Sequence, residues 1–233
     1  PYVGNRIAVY NTVTTGWDVL AFGSASVSVP ATTNTPFDVF AYNNSGTLAL
    51  QTVNWTNDTT RATGITRQDG IYCKSGDLGK RYLGTGRTTS VSGQTEDSST
   101  SRFLWNYYNR LERRIYRDNY TAHTYNTGTW RPFNNSASDS SVYFVVGVSE
   151  EVITYMLDGA LSRGASTDGY PLMNIGINTT SAYSFATFPG QEIQALGAQS
   201  GLSLTGATAP SQGYSYACAV QFTVVTTTAP TFT

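Results

Sequence analysis

The sequence predicts an all-β protein: an antiparallel β-sandwich, jelly-roll-like in its second half, with an amino-terminal β-hairpin unit. Three observations point there. Charged residues make up only 12% of the 233, while hydrophobic residues reach 39% and aromatic residues 13%. That charged share is about half the usual 25%, so Thr, Ser, Asn, Gln and Tyr must supply the polar surface, and these suit strands and turns better than helices. Short β-rich runs also recur between turn clusters, at the roughly 8–12-residue spacing of a sandwich or barrel. Finally, helix signals are poor. The long stretch Arg102–Asp118 lacks Gly and Pro and sets Leu104, Tyr108, Leu111 and Ile115 at helix-like spacing. An extended conformation is preferred there, with a helix as the alternative.

Taken in order, Arg6–Tyr10 and Trp17–Phe22 read as strands around the polar turn Asn11–Gly16, and Ser26–Val29 as a third run ended by Pro30. Phe37–Tyr42 alternates as F-D-V-F-A-Y. It joins Leu48–Val53 through Asn43-Asn44-Ser45-Gly46, the clearest hairpin signal, because Asn and Gly tolerate positive φ. Ile71–Lys74, Arg81–Arg87 and Phe103–Tyr108 follow. Later candidates are Tyr125–Phe133, Val142–Val148, Val152–Leu157, Leu172–Asn178 and Tyr214–Val225. Within them Tyr143–Val146 has few polar breaks and is expected to be buried on both faces. Tyr216–Val224 alternates, which suits one covered face. Gly164–Gly169 and Ala195–Gly213 read as small-residue loops, Glu192–Leu196 as one helical turn, and the closing T-T-T-A-P-T-F-T as an exposed tail or edge extension. The polar stretch Ser90–Ser101 is the candidate boundary. It gives an amino-terminal β unit over 1–95 and a sandwich over 96–233, with one continuous β domain as the alternative.

The balance of charge narrows function. Lys plus Arg is 14 and Asp plus Glu is 15, for a net charge of -1. A general nucleic-acid or anionic-membrane binder would carry a basic excess. So small a charge leaves self-association electrostatically unopposed. No apolar run approaches the roughly 20 residues of a membrane-spanning helix, and no charged n-region precedes an apolar h-region, so neither a span nor a signal peptide is expected. Cys73 and Cys218 fit no metal-site spacing. They read as two separate buried thiols, with a long-range disulfide as the alternative.

Reactive groups are sparse. His123, in T-A-H-T-Y, is the single histidine. It lacks the context of an activated nucleophile, and a surface or subunit-contact role is expected. Glu150 and Glu151 are adjacent, so on a strand they would face opposite ways. Glu96 and Asp97 lie in the polar connector. All four read as turn or edge charges. Leu83-Gly84-Thr85-Gly86-Arg87 lacks the third glycine and helix start of a phosphate site, and Asp38, Asp58, Asp69 and Asp77 form no calcium-loop pattern. No catalytic residue, metal ligand or cofactor is expected. The candidate contact surface is Tyr107, Tyr108, Arg110, Arg113, Arg114, Tyr116, Arg117 and Tyr120, because Arg and Tyr are enriched in protein contact surfaces. They also stack on bases and sugars, so ligand capture and an ordinary solvated strand are its alternatives. Trp17, Trp55 and Trp130 are the candidate glycan-stacking residues. N-x-[ST] sequons at Asn43, Asn54, Asn57, Asn119, Asn134 and Asn178 carry meaning only on a eukaryotic secretory route.

One resemblance adds to this reading. It runs through Y-V-G-N-R-I-A-V-Y from Tyr2, F-D-V-F-A-Y-N-N-S-G-T-L-A-L from Phe37 and W-T-N-D-T-T-R-A-T-G from Trp55. It continues through R-Q-D-G-I-Y-C-K-S-G from Arg67, R-Y-L-G-T from Arg81, E-D-S from Glu96 and R-F-L-W-N-Y-Y-N-R from Arg102. Together these blocks, spanning Tyr2 to Arg110, resemble a domain of tailed-bacteriophage structural proteins; the second half is similar only loosely, near V-Y-F-V-V-G from Val142. In similar sequences the segment after N-Y-Y-N-R carries prolines, which supports an extended Arg110–Tyr116. Such proteins also carry strand sequence ahead of the Tyr2 block. The resemblance implies a non-enzymatic virion protein at the particle surface: a head decoration, head fibre or tail-fibre component. Its partners would be other virion proteins and further copies of itself, with a trimer favoured by analogy. The first alternative is a carbohydrate- or receptor-binding module with a host-surface glycan as partner, which requires an exposed aromatic row. The second is a polysaccharide-degrading enzyme, which requires two carboxylates about 5–9.5 Å apart across a groove.

Overall fold

The computed structural model describes residues 4–162, 171–186, 199–224 and 229–233. The expected loop Gly164–Gly169 and helical turn Glu192–Leu196 lie outside them. Strands and bridges hold 52% of the described residues, the strands paired antiparallel, and no α-helix occurs among them. Two compact units emerge. The first comprises Pro1–Arg114, Phe144–Ser149 and Ser211–Tyr214; the second comprises Ile115–Tyr143, Glu150–Pro210 and Ser215–Thr233. The stretch Ser90–Ser101 lies inside the first unit, where the bridges Thr88–Thr95 and Asp97–Arg102 tie it down.

The first unit opens on the hairpin β1 (Arg6–Asn11) and β2 (Gly16–Ala21). There follow β3 (Pro36–Asn44), β4 (Thr47–Asn54), β5 (Ile65–Gln68), β6 (Ile71–Lys74), β7 (Asp77–Arg87), β8 (Ser101–Arg102) and β9 (Leu104–Asn106). One sheet runs in the order β4-β3-β7-β6-β5, with β9 beside β7. The β3–β4 turn places Ser45 and Gly46 at φ 53° and 88°. Ser45 tolerates that conformation because the Asn43 Oδ1 accepts the Gly46 N–H at 2.7 Å. The hairpin β5–β6, which the sequence reading missed, turns on Asp69–Gly70. Ser26–Val29 is not a strand: the run S-V-S-V lacks the large apolar side chains its neighbours bury, and Pro30 follows. Val9, Leu20 and Ala41 form a core cluster with Ile7, Leu48, Leu50 and Leu83 packed around it, so the opening hairpin lies against the sheet. The two glycines of L-G-T-G-R belong to close packing. A Cβ on Gly84 would strike the Trp105 carbonyl, and one on Gly86 would sit 2.5 Å from the Phe37 ring.

The second unit contains β10 (His123–Thr124), β11 (Arg131–Pro132), β13 (Ile153–Ser162), β14 (Pro171–Ile177), β15 (Gln199–Thr208) and β17 (Thr231–Phe232). Two strands carry the chain from one unit's residues into the other's: β12 (Ser141–Val146) and β16 (Gly213–Thr223). One sheet runs β10-β17-β13-β15, while β16 bonds β11, β12 and β14 in the other. From β12 to β17 successive strands alternate between the two sheets, and β17 pairs with β10, the first strand of the unit, giving an antiparallel β-sandwich. Leu161, Leu202 and Phe232 from one sheet meet Met173 from the other, with Tyr125 and Phe133 completing the core. Each such side chain, fully buried, contributes about 1.5–3 kcal/mol.

Three expectations fail here. Ala195–Gly213 is not a loop throughout: β15 forms a ten-pair ladder with β13, from Ile153↔Thr208 to Ser162↔Gln199. Leu202 and Leu204 point inward at period two, but the Ser, Gly and Thr between them hide the pattern. The closing segment is not an exposed tail either, since Thr231 and Phe232 pair with both β10 and β13. Of Tyr125–Phe133, only Arg131–Pro132 is strand.

Cys73 and Cys218 are both free and buried. Burial pushes the Cys73 thiol from 9.0 up to about 11, with Arg81 opposing and Asp69 reinforcing the shift. Burial likewise lifts the Tyr155 phenol from 10.0 to about 12. Both groups are held protonated, so their contribution is complete below their ordinary values and lost as pH rises through the folded ones. The thermal midpoint is expected to hold between pH 7 and 8.5 and to fall from about pH 9 to 11. A flat profile across that window in a differential-scanning experiment would show that neither burial matters.

Candidate functional site

From Tyr107 to Ala122 the chain has no regular secondary structure, so the helical alternative fails. Asn106 ends β9: its side-chain carbonyl accepts the N–H groups of Tyr108 and Asn109 at 2.9 and 3.1 Å, an Asx turn that competes with helix. The basic side chains then dock at separate places. Arg110 donates to the Tyr107 carbonyl at 3.0 Å and lies 4.3 Å over the Tyr107 ring. Arg113 reaches Asp97 at 3.8 Å. In the second unit, Arg117 lies 3.9 Å from Asp139 and donates to the Ser141 carbonyl at 3.4 Å.

The eight candidate contact residues divide accordingly. Tyr107 is a packing residue, half-buried edge-on against Tyr72 at 5.4 Å and Tyr108 at 5.0 Å. Tyr108 is exposed and anchored by Arg81, whose Nε donates to its hydroxyl at 3.0 Å. Partial burial raises the Tyr108 hydroxyl against the lowering effect of Arg81. Arg110, Arg113, Arg114, Tyr116, Arg117 and Tyr120 are exposed, as is Leu111 between them, and Tyr120 reaches 85%.

The tryptophans separate too. Trp55 is 4% exposed, with the Arg61 guanidinium 4.4 Å over its ring. It is closed to a sugar, which corrects the expectation for that residue. Trp17 is half-buried, edge-on to Tyr10 at 5.4 Å, and donates to Asp69 at 3.0 Å. Trp130 joins Tyr183 and Phe222, each at 5.2 Å between ring centroids, and Tyr183 is 43% exposed. This trio was illegible in the sequence because its members come from three distant stretches of the chain, only Phe222 of them on a strand.

The interior ionisable groups are engaged with one another. In the first unit, Arg61 donates to Asp38 at 2.7 Å, with side chains only 6% and 2% exposed. Arg61 also donates to Gln212 and to the Gly147 carbonyl, both at 2.6 Å. Thr85 donates to Asp38 at 2.7 Å and meets the Tyr82 hydroxyl at 2.6 Å. Arg87 holds Asp58 at 3.0 Å and Arg102 holds Asp97 at 3.0 Å. Ser98 donates to Glu96 at 2.6 Å. Glu150 and Glu151 lie beyond the end of β12, exposed, as turn charges.

His123 is half-buried and packed among aromatic residues. Its ring stacks on Phe232 at 5.5 Å, stands edge-on to Phe133 at 4.7 Å, and places Nε2 2.7 Å from the Gln221 carbonyl oxygen. Among the described residues no three His, Cys, Asp or Glu side chains gather to hold a metal, and no helix is long and apolar enough to cross a membrane. Comparison with protein-family models, with curated proteins and with solved structures finds no match for this chain.

Proposed function

We propose that the chain is a non-enzymatic virion structural protein that decorates or projects from a phage particle, as a head decoration, head fibre or tail-fibre component. It works as a homo-oligomer, with a trimer favoured. The observation that carries this reading is the extended segment after β9, which presents Tyr108, Leu111, Tyr116 and Tyr120 to solvent among arginines. Arg and Tyr anchors of this kind dominate contact energies. The antiparallel sandwich of the second unit suits the jelly-roll-like architecture that viral capsid domains use, and the first unit carries the phage-like sequence blocks. Light scattering on the purified chain is expected to give an oligomer at micromolar concentration. Arg113→Ala with Tyr116→Ala is expected to weaken association about thirtyfold, the equivalent of about 2 kcal/mol, and to lower incorporation into particles seen by antibody-labelled electron microscopy. A monomer whose incorporation ignores both substitutions removes the reading.

A second reading rests on the Trp130–Tyr183–Phe222 trio, since a partly exposed aromatic platform suits stacking on a sugar face. Glycan-array binding that Trp130→Ala abolishes, in a chain with normal incorporation, favours a receptor-binding role instead.

A further inference from the structure

The inner faces of β11 and β16 in the second unit carry an excess of hydrogen-bond donors. Arg131 and Gln221 stand directly opposite each other on this antiparallel pair, so their side chains share one face, with Cβ atoms about 4.5–5.5 Å apart. Gln221 is 0% exposed. Its Oε1 accepts the backbone N–H of Asn134 at 3.0 Å and lies 2.7 Å from Nε2 of His123. The Asn134 N–H can only donate, so it fixes which end of the amide is oxygen; His123 then donates from Nε2, while its Nδ1 faces the Thr121 carbonyl at 3.1 Å. The opposite end, Gln221 Nε2, is buried and has no hydrogen-bond partner among the described residues; the same holds for Nε of Arg131. The Arg131 guanidinium lies 3.7 Å over the Tyr125 ring. Burial lowers the Arg131 pKa, and the opposing influence comes from the Tyr125 phenol.

Buried N–H groups without an acceptor are rare in folded proteins. Here two belong to one cross-strand pair, and one of them is part of a cation. A water molecule would accept both bonds but bring two hydrogens that need acceptors of their own, and Gln221 Oε1 already meets two donors. An anion brings none. We propose that this face holds one small monovalent anion, a halide or a small carboxylate, between Arg131 Nε and Gln221 Nε2. The site orders the junction of β11 with β16 and is independent of the role proposed above.

The test uses the purified full chain in sodium isethionate, whose bulky anion the site does not admit, with chloride or formate added at constant ionic strength. A ligand that binds only the native state raises the midpoint of unfolding. The expected rise is about 3 °C on reaching roughly ten times the dissociation constant. Arg131→Met is expected to abolish it, and Arg131→Lys, which keeps the charge but loses Nε, to weaken binding at least tenfold. Should Arg131→Met not fold, chloride-35 line broadening of the wild-type chain decides: it should saturate and be displaced by bromide if halides bind, or by formate if carboxylates bind as well. A midpoint indifferent to both anions, an equal rise in Arg131→Met, or broadening that never saturates overturns the proposal and assigns the donors to water.

Discussion

Arg61→Ala should lower the stability of this protein by about 3–5 kcal/mol, because it strands a carboxylate that has almost no access to water. Asp38 would keep the Thr85 hydroxyl but lose both guanidinium bonds, at 2.7 and 3.3 Å. The same substitution frees the Gln212 side chain and the Gly147 carbonyl. Folded domains have only about 5–15 kcal/mol in total, so the midpoint of thermal unfolding should fall by on the order of 10 °C. Lys80→Ala removes an ion pair with Asp77 at the surface and should cost less than about 1 kcal/mol. A double replacement, Asp38→Leu with Arg61→Met, should recover much of the loss, since well-packed apolar pairs substitute for buried ion pairs. Urea titrations of the wild-type chain and the three variants supply the comparison. An Arg61→Ala cost no larger than that of Lys80→Ala would show that water reaches the pair.

Phe232→Ala should be as damaging, at about 3–5 kcal/mol for a large aromatic removed from a filled core. Phe232 is 0% exposed, stacks on His123 and pairs across strands with both His123 and Leu161. Its loss therefore opens a cavity and also loosens the strand that joins β10 to β13. Thr233→Ala, one residue further on, removes a side-chain bond to the Ala160 carbonyl at 3.1 Å and should cost no more than about 1 kcal/mol. Equal, small effects at both positions would return the segment to the status of a tail.

That contrast shows what the sequence could convey. Where apolar residues alternate with polar ones, as in F-D-V-F-A-Y, or a turn carries Asn and Gly, local chemistry names the element, and β3 with β4 lies where the residues put it. Where the inward side chains are spaced by Ser, Gly and Thr, as in β15, the same period is present but weak. In β17 two residues form the strand, and only their partners, far back in the chain, make them one. The Arg–Tyr segment was legible as non-helical only through the resemblance, because its own Leu104, Tyr108, Leu111 and Ile115 keep a helical spacing. The sorting within it was not. Tyr107 and Tyr108 are neighbours of the same type, yet only the rings of Tyr72, Tyr82 and Trp105 decide that one is packed. Asp38 resembled any polar residue of an alternating strand, and Arg61 any loop cation, until the fold brought them together.

The partners of Arg61 bear on how this protein is made. Its side chain is held by Gln212, 151 residues further along, and each compact unit draws on three stretches of the chain. During synthesis, which adds about 5–20 residues per second, the first unit can assemble its hairpins as they emerge but cannot neutralise the Asp38–Arg61 centre in its final form until residue 212 is free of the ribosome. The second unit waits longer, for Phe232. Contacts this distant along the chain slow folding, so for several seconds the nascent polypeptide exposes unpaired strands. Unpaired strand edges and apolar surface exposed for that long favour association between unfinished copies.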